Sequence, residues 1–152
     1  MSHYNNKIVL IGGSGFLGKN LKAVFKKNNR EYISTSSTDL DLTNIKHIEN
    51  FRNLNNSENC TLIFLSALTP DKGKTIDTFN KNIQMAQNFL NIFDNNFSEN
   101  NHVIYVSSDA VYPLSEENIK LNTLPSPTDL YSSMHLTREI MFQSVFEKNL
   151  KI

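Results

Sequence analysis

The chain has 152 residues, with 15 basic and 15 acidic side chains that balance to no net charge. This length suits one domain, or one half of a two-domain enzyme, that buries roughly 70% of its unfolded surface, and the charge balance leaves no bulk basic field for a nucleic acid. Cys60 is the single cysteine, which excludes a disulfide framework and a cysteine-based zinc site; no metal site is expected, and the expected compartment is the reducing cytoplasm.

The first apolar run, Ile8 to Ile11, is too short for a signal segment or a membrane span. With Lys7 it reads as a buried strand, short and β-branched. Four of the five glycines follow at once: Gly12, Gly13, Gly15 and Gly18. Beyond them Phe16, Leu17, Leu21, Val24 and Phe25 recur at helical spacing. The pattern is strand, glycine turn, helix, with spacing Gly12-x-x-Gly15-x-x-Gly18. Small residues there let a backbone approach a pyrophosphate, and the helix N-terminus offers it free N–H groups and partial positive charge. Gly18 is expected to let the helix pack closely on the strand. A tight structural turn is the alternative.

Glu31 to Thr35 reads as a second strand, and Asp39 to Leu42 as a very short third. Thr43 is the expected N-cap of a helix carrying Ile45, Ile48 and Phe51. Asn53 to Asn59 is a loop, Thr61 to Ser66 a buried strand, and residues 67–75 a loop. A helix over about Ile76 to Asp94 carries the stripe Ile76, Phe79, Ile83, Ala86, Leu90 and Phe93, with Met85, Phe89 and Ile92 off it. His102 to Ser107 is the next strand, Pro113 to Pro127 a long loop, and a last helix spans about Asp129 to Lys148. Residues 149–152 look like the approach to a sixth strand. Strands alternating with helices predict a Rossmann-type, doubly wound parallel α/β sheet, in the order 3-2-1-4-5, with helices on both faces. A ligand then lies beyond the carboxyl ends of the strands, where the glycine turn, Ser66, Ser107 and Ser108 converge.

Each polar candidate has two readings. Ser108 could hydrogen-bond a substrate oxygen, or satisfy nearby backbone. Tyr131 opens the last helix and His135 follows at i+4 on the same face. A free phenol titrates near ~10, and a nearby positive charge makes it useful for proton transfer; a histidine supplies that charge only when protonated. The alternative is an amphipathic helix whose Tyr and His cover surface. Asp41, or the backbone of Leu42, could meet an adenine edge, or Asp41 could close an Asx-type turn.

In this order along the chain, the residues resemble the extended short-chain dehydrogenase/reductases, the NAD-dependent epimerase/dehydratases. Gly12 to Gly18 resembles their dinucleotide turn, with Gly12, Gly15, Phe16, Leu17 and Gly18 against the cofactor. Asp41-Leu42 resembles the adenine contact, and Leu65-Ser66-Ala67 the segment along the cofactor. Asn82-Ile83 and Asn88-Phe89-Leu90 resemble the following helix. Tyr105 to Tyr112 resembles the Ser-Ser-x-x-Val-Tyr strand end, and Pro127 to Glu139 the stretch carrying the active-site tyrosine. The resemblance implies hydride transfer between a nicotinamide and a carbon of a nucleotide-linked sugar. Tyr131 would transfer the hydroxyl proton and Ser108 would orient the same oxygen. It also implies a homodimer through the 76–94 and 129–148 helices.

Two departures stand out. The family's Tyr-x-x-x-Lys is here Tyr131-Ser132-Ser133-Met134-His135, in which His135 could still bind ribose. Family members also run to roughly twice this length, so residues 1–152 are read as the NAD(P)-binding part with the substrate-binding part absent. At the end of the second strand Thr35, Ser36 and Ser37 stand where an acid would hold the ribose of NAD, so both NADP and NAD are carried forward, with a lean to NADP. A non-catalytic NAD(P)-binding regulatory or partner module is the rival reading.

Overall fold

A computed structural model of the chain describes residues 7–54, 59–93, 101–115 and 118–152. Strands and helices alternate: β1 (Lys7–Ile11), α1 (Phe16–Lys27), β2 (Tyr32–Thr35), α2 (Ile45–Leu54), β3 (Cys60–Phe64), α3 (Ile76–Phe93), β4 (His102–Tyr105), α4 (Leu130–Phe146) and β5 (Leu150–Lys151). Every strand pairing is parallel, in one sheet of order β2-β1-β3-β4-β5. The crossing point of this order lies between β1 and β3. Ile11, Phe64 and Tyr105 stand in register at the carboxyl ends of β1, β3 and β4.

The Rossmann-type α/β expectation holds, with one strand removed. Asp39 to Leu42 forms a turn, not a strand. The Asp39 carboxylate accepts from Ser36 N at 2.9 Å, the Asp41 carboxylate accepts from Thr43 N at 2.9 Å, and Leu40 N donates to Ser36 O at 2.9 Å. Groups satisfied so locally are not free for a ladder. Leu40 and Leu42 are still buried in the core. The same turn moves the cap of α2 by one residue. Thr43 is tied to Asp41, and Asn44 Oδ1 instead accepts from Lys46 N at 3.1 Å. At the other edge the expected further strand is present as β5, with Leu150 and Lys151 beside Val103 and Ile104.

The two sheet faces are covered unequally. On one face, α2, α3 and α4 bury Ile48, Ala86, Phe89, Leu90 and Phe142 against Val9, Ile11, Leu62, Phe64, Val103 and Tyr105. Phe64 and Tyr105 both pack on Phe142, with ring centroids 5.0 and 4.7 Å apart. Each such fully buried ring contributes roughly 2–3 kcal/mol. On the other face, among the described residues, Leu21 and Phe25 of α1 pack on Ile8, Leu10 and Ile63, while Ile104 and Val106 are half-buried.

The face that α3 buries differs from the expected stripe. Ile76 is 67% exposed, Phe79 and Ile83 are half-buried, and Phe89 and Ile92 belong to the core. The buried series is Asn82, Ala86, Phe89 and Leu90, led by a polar residue that an apolar count passes over. Asp94 and the side chain of Phe93 lie outside the described residues, as do positions 55–58 and 116–117 of the two loops. In α4, Met134, Phe142 and Phe146 share one buried face, whereas Ile140 is exposed and Leu136, Met141 and Val145 are half-buried.

Candidate active site

The glycine turn joins β1 to α1 at the crossing point. Gly12 has φ +85°, and a Cβ there would lie 2.9 Å from Ser66 N and 3.0 Å from its Cα. A Cβ on Gly13 would strike the Ser34 side chain on β2. A Cβ on Gly18 would stand 2.6 Å from both C and O of Gly13. Gly18 thus brings the helix onto the turn itself, rather than onto the strand as expected. These three positions are glycine because protein lies against them.

Gly15 is different. Its φ of −72° suits any residue, and the one atom a Cβ would approach is Gly12 O at 3.9 Å. Gly15 is the N-cap of α1, no side chain caps that helix, and no acid lies in its first turn. The first-turn N–H groups and the positive end of the helix dipole therefore face open space. That arrangement fits an anionic pyrophosphate, with the backbone as its cradle. Phe16 is 81% exposed and Leu17 is also exposed, which puts both on the rim.

Across the crossing point from the turn, Leu65, Ser66 and Ala67 continue β3 as a half-buried segment. Leu65 N donates to Ile11 O at 2.9 Å, which holds the segment beside the glycine turn. Two buried side chains hold it from beneath. Asn82 Oδ1 accepts from Leu68 N at 2.8 Å, and Asn82 Nδ2 donates to Leu68 O at 3.1 Å and Thr78 O at 3.0 Å. Arg138 of α4 donates to Ser66 O at 2.6 Å and to Asn82 Oδ1 at 3.4 Å.

On the adenosine side, Ser36 is half-buried and Ser37 exposed at the end of β2. The Ser36 hydroxyl donates to Asp39 Oδ2 at 2.6 Å, and these Ser36 bonds hold the Asp39 carboxyl below the ordinary range. Asp41 forms the Asx-type turn: Thr43 N and Oγ1 both donate to its Oδ1, which lowers its pKa in the same way. Leu42 puts its side chain in the core and its carbonyl accepts from Asn88 at 3.1 Å, so these contribute core and α3 contacts.

The remaining candidates lie just past the end of β4 and in the first turns of α4. Ser107 donates to the Glu139 carboxylate, and Ser108 Oγ accepts from Ala110 N at 3.2 Å, capping the 3-10 turn Asp109–Val111. The backbone-satisfying role of Ser108 is thus realised. Asp129 caps α4 by accepting from Ser132 N at 2.8 Å, in a reciprocal capping box that fixes the turn bearing Tyr131. Tyr131 is half-buried and lines a shallow cleft together with Leu68, Thr78, Asn82, Leu130 and Met134. Its ring meets His135 edge to face, with centroids 4.8 Å apart.

His135 is not a surface residue. It is 3% exposed, its Nδ1 lies 3.2 Å from Tyr105 Oη, and its Nε2 is buried with no partner. Burial, then the charge of Arg138, pull its pKa down to about 4. The imidazole is neutral at pH 7 and supplies no positive charge to Tyr131. Burial also pushes the Tyr105 phenol up to about 12. Reading the sequence picked out neither Arg138 nor Tyr105 as part of this cluster. The signal for Arg138 is its spacing: Tyr131, Met134, His135, Arg138 and Phe142 fall at i, i+3, i+4, i+7 and i+11, so a basic residue lies on a buried stripe. Among the described residues no group of three or more His, Cys, Asp or Glu side chains could hold a metal, and no helix is long and apolar enough to cross a membrane.

A parallel sheet whose crossing point faces an open glycine turn and an uncapped helix N-terminus places the chain in the Rossmann-type class of α/β domains. Within that class it belongs to the NAD dependent epimerase/dehydratase family, whose model matches residues 8–152. The chain is 30% identical over 142 residues to the GDP-L-colitose synthase of Yersinia pseudotuberculosis, an alignment that covers 86% of this chain and 44% of that protein. Its fold is similar to the crystal structure of a dTDP-4-dehydrorhamnose reductase from Clostridium acetobutylicum, at 24% identity and TM-score 0.76, over 93% of this chain and 50% of that one. It is also similar to a GDP-L-fucose synthetase from Naegleria fowleri bound to NADP, at 18% identity and TM-score 0.73, over 97% of this chain and 47% of that one. The chain spans about half the length of these relatives.

Proposed function

We propose that residues 1–152 form the NAD(P)-binding part of a nucleotide-sugar reductase, epimerase or dehydratase. The observation that carries this reading is Gly15. Neither packing nor φ requires a glycine there, yet it leaves the open, uncapped N-terminus of α1 clear for a pyrophosphate. NADP is the favoured cofactor and NAD the alternative. β2 ends in Thr35 with Ser36 and Ser37 behind it, and Ser36 already occupies the nearby Asp39 carboxylate. The names of the relatives, and the NADP complex among them, support both the cofactor and a nucleotide-linked sugar as substrate.

A bound nicotinamide supplies the hydride chemistry. The chain supplies positions for it. Tyr131, fixed by the Asp129 capping box beside an open cleft, gives or takes the proton of the reacting sugar oxygen. Ser108 orients that oxygen by turning its hydroxyl hydrogen from the Asp109 carboxylate, to which it donates at 3.3 Å, while the Ala110 N–H stays on its lone pair. His135 packs against the Tyr131 ring, and its buried Nε2 is without a partner, so it would reach a ribose only where the cofactor itself closes over it.

Calorimetric titration with NADP(H) and NAD(H) tests the cofactor reading. Micromolar binding of either is expected, and a folded chain that binds neither overturns it. Tyr131→Phe is expected to spare that affinity while removing turnover of a nucleotide-linked keto sugar. A specific observation favours the rival, a non-catalytic NAD(P)-binding module: position 135 holds a neutral imidazole, not a cation. Cofactor binding with no turnover of any such sugar decides for the rival. A homodimer through α3 and α4, in the cytoplasm, completes the reading; exposed Ile76 and Ile140 lie on those helices, and buried Cys60 suits a reducing compartment. A sedimentation mass of one chain at micromolar concentration would reject the dimer.

A further inference from the structure

Arg138 is 0% exposed, yet no carboxylate lies within ion-pair distance of it among the described residues. Its guanidinium lies 5.2 and 5.3 Å from the ring centroids of Phe64 and Tyr105. Its acceptors are the Ser66 carbonyl, Asn82 Oδ1 and, at 3.8 Å, Met134 Sδ; its Nε has none. The neighbouring carboxylate, Glu139, accepts from Ser107 instead. A buried charge held only by neutral dipoles and ring faces is costly to the fold, and an apolar side chain of similar size sheds a desolvation cost of several kcal/mol against roughly 1–3 kcal/mol for the acceptors it leaves without a donor. Its place in the fold gives that cost a use. The Ser66 carbonyl it grips belongs to the residue against Gly12, across the crossing point from the open N-terminus of α1. Arg138 thus lies beneath the wall of the crevice, on the protein side, where water screens it least.

We propose that Arg138 is a positioning residue for the dinucleotide: its charge is offset by the anionic ligand rather than by a protein carboxylate, and with Asn82 it holds residues 66–68 in the binding geometry. This inference rests on the dinucleotide reading of the crevice. It predicts opposite signs for stability and binding in one variant. Without ligand the chain carries the cost of the charge, and with ligand it gains the attraction.

The test compares wild type, Arg138→Met and Arg138→Lys by thermal melting without ligand and by calorimetry with NADP+ and NAD+, following the tighter of the two. Arg138→Met is expected to melt no lower than wild type and to bind about tenfold more weakly or worse. Arg138→Lys keeps a cation but not the planar guanidinium over Phe64 and Tyr105, so it is expected to recover part of the affinity lost in Arg138→Met. Unchanged affinity in a folded Arg138→Met overturns the proposal. So does a loss of both melting temperature and affinity in that variant, the signature of a merely structural residue, or an Arg138→Lys as weak as Arg138→Met. Should Arg138→Met fail to fold, Arg138→Gln is read for affinity alone, and wild-type affinity there overturns the proposal. A wild-type chain that binds neither dinucleotide shows instead that the crevice reading itself is wrong.

Discussion

The two sides of the crevice are built by different logics. Around β1 and α1, backbone meets backbone: Gly12 against Ser66, Gly18 against Gly13, and open space over Gly15. Along α4, side chains do the work: Tyr131, His135 and Arg138 stack down one face, and the latter two are wholly inside the protein. The first side is close backbone approach, which the glycine spacing permits at each contact. The second depends on what the sheet face under α4 places beneath the helix. A histidine at position 135 would be a surface switch on an isolated helix; over Tyr105 and beside Arg138 it is a neutral core residue.

The largest expected effect probes the first side. At Gly15→Val the added Cβ meets only Gly12 O, at 3.9 Å, and φ is unstrained, so the loss of a favourable N-cap residue should cost about 1 kcal/mol, a few degrees of melting, while dinucleotide affinity falls roughly 100-fold or more. Retained affinity would show that the pyrophosphate does not lie over Gly15. Gly18→Ala separates packing from propensity. In an open helix this change stabilises by about 1 kcal/mol, but a Cβ 2.6 Å from the Gly13 backbone should reverse the sign, to a loss of about 3 kcal/mol in chemical denaturation. A stabilised Gly18→Ala chain would mean that α1 does not sit on the turn.

The α4 side is probed by pH. His135 has a folded pKa of about 4, below an unfolded value near ~6.5, so the unfolded chain binds more protons between them. Its contribution is complete above about pH 6.5 and is lost as pH falls toward 4, on the order of 3 kcal/mol in all. His135→Gln should flatten that part of a stability–pH curve, and a wild-type curve already flat from pH 6.5 to 4 would place His135 at the surface. The smallest effect is expected at the helix start. Asp129→Ala removes the acceptor of the Ser132 N–H and should cost about 1 kcal/mol in denaturation, with cofactor affinity unchanged.

Much of the fold is legible in the sequence because its signals are local. The β-branched run Lys7–Ile11, the glycine spacing and the helical recurrence of Phe16 to Phe25 follow one another without a break, and the structure places β1, the turn and α1 there. Asp39 to Leu42 misleads because alternating acid and leucine serves two purposes. Leu40 and Leu42 point into the core as a strand's would, while the two acids bind the backbone N–H groups of Ser36 and Thr43. The buried face of α3 misleads because Asn82 stands where an apolar residue is expected, with its amide satisfied by Leu68 and Thr78.

By itself the sequence determined the alternation of strands and helices, the glycine turn, the positions of Ser108 and Tyr131, and the family resemblance. Each depends on residue type and spacing along a few turns or one strand. Only the tertiary structure decided that Gly15 alone among the turn glycines faces open space, that His135 is neutral, and that Arg138, with no carboxylate within ion-pair distance among the described residues, grips Ser66, 72 positions away in the chain. Desolvation and close approach set those properties, and both come from parts of the chain that meet only when the sheet and its helices close on one another.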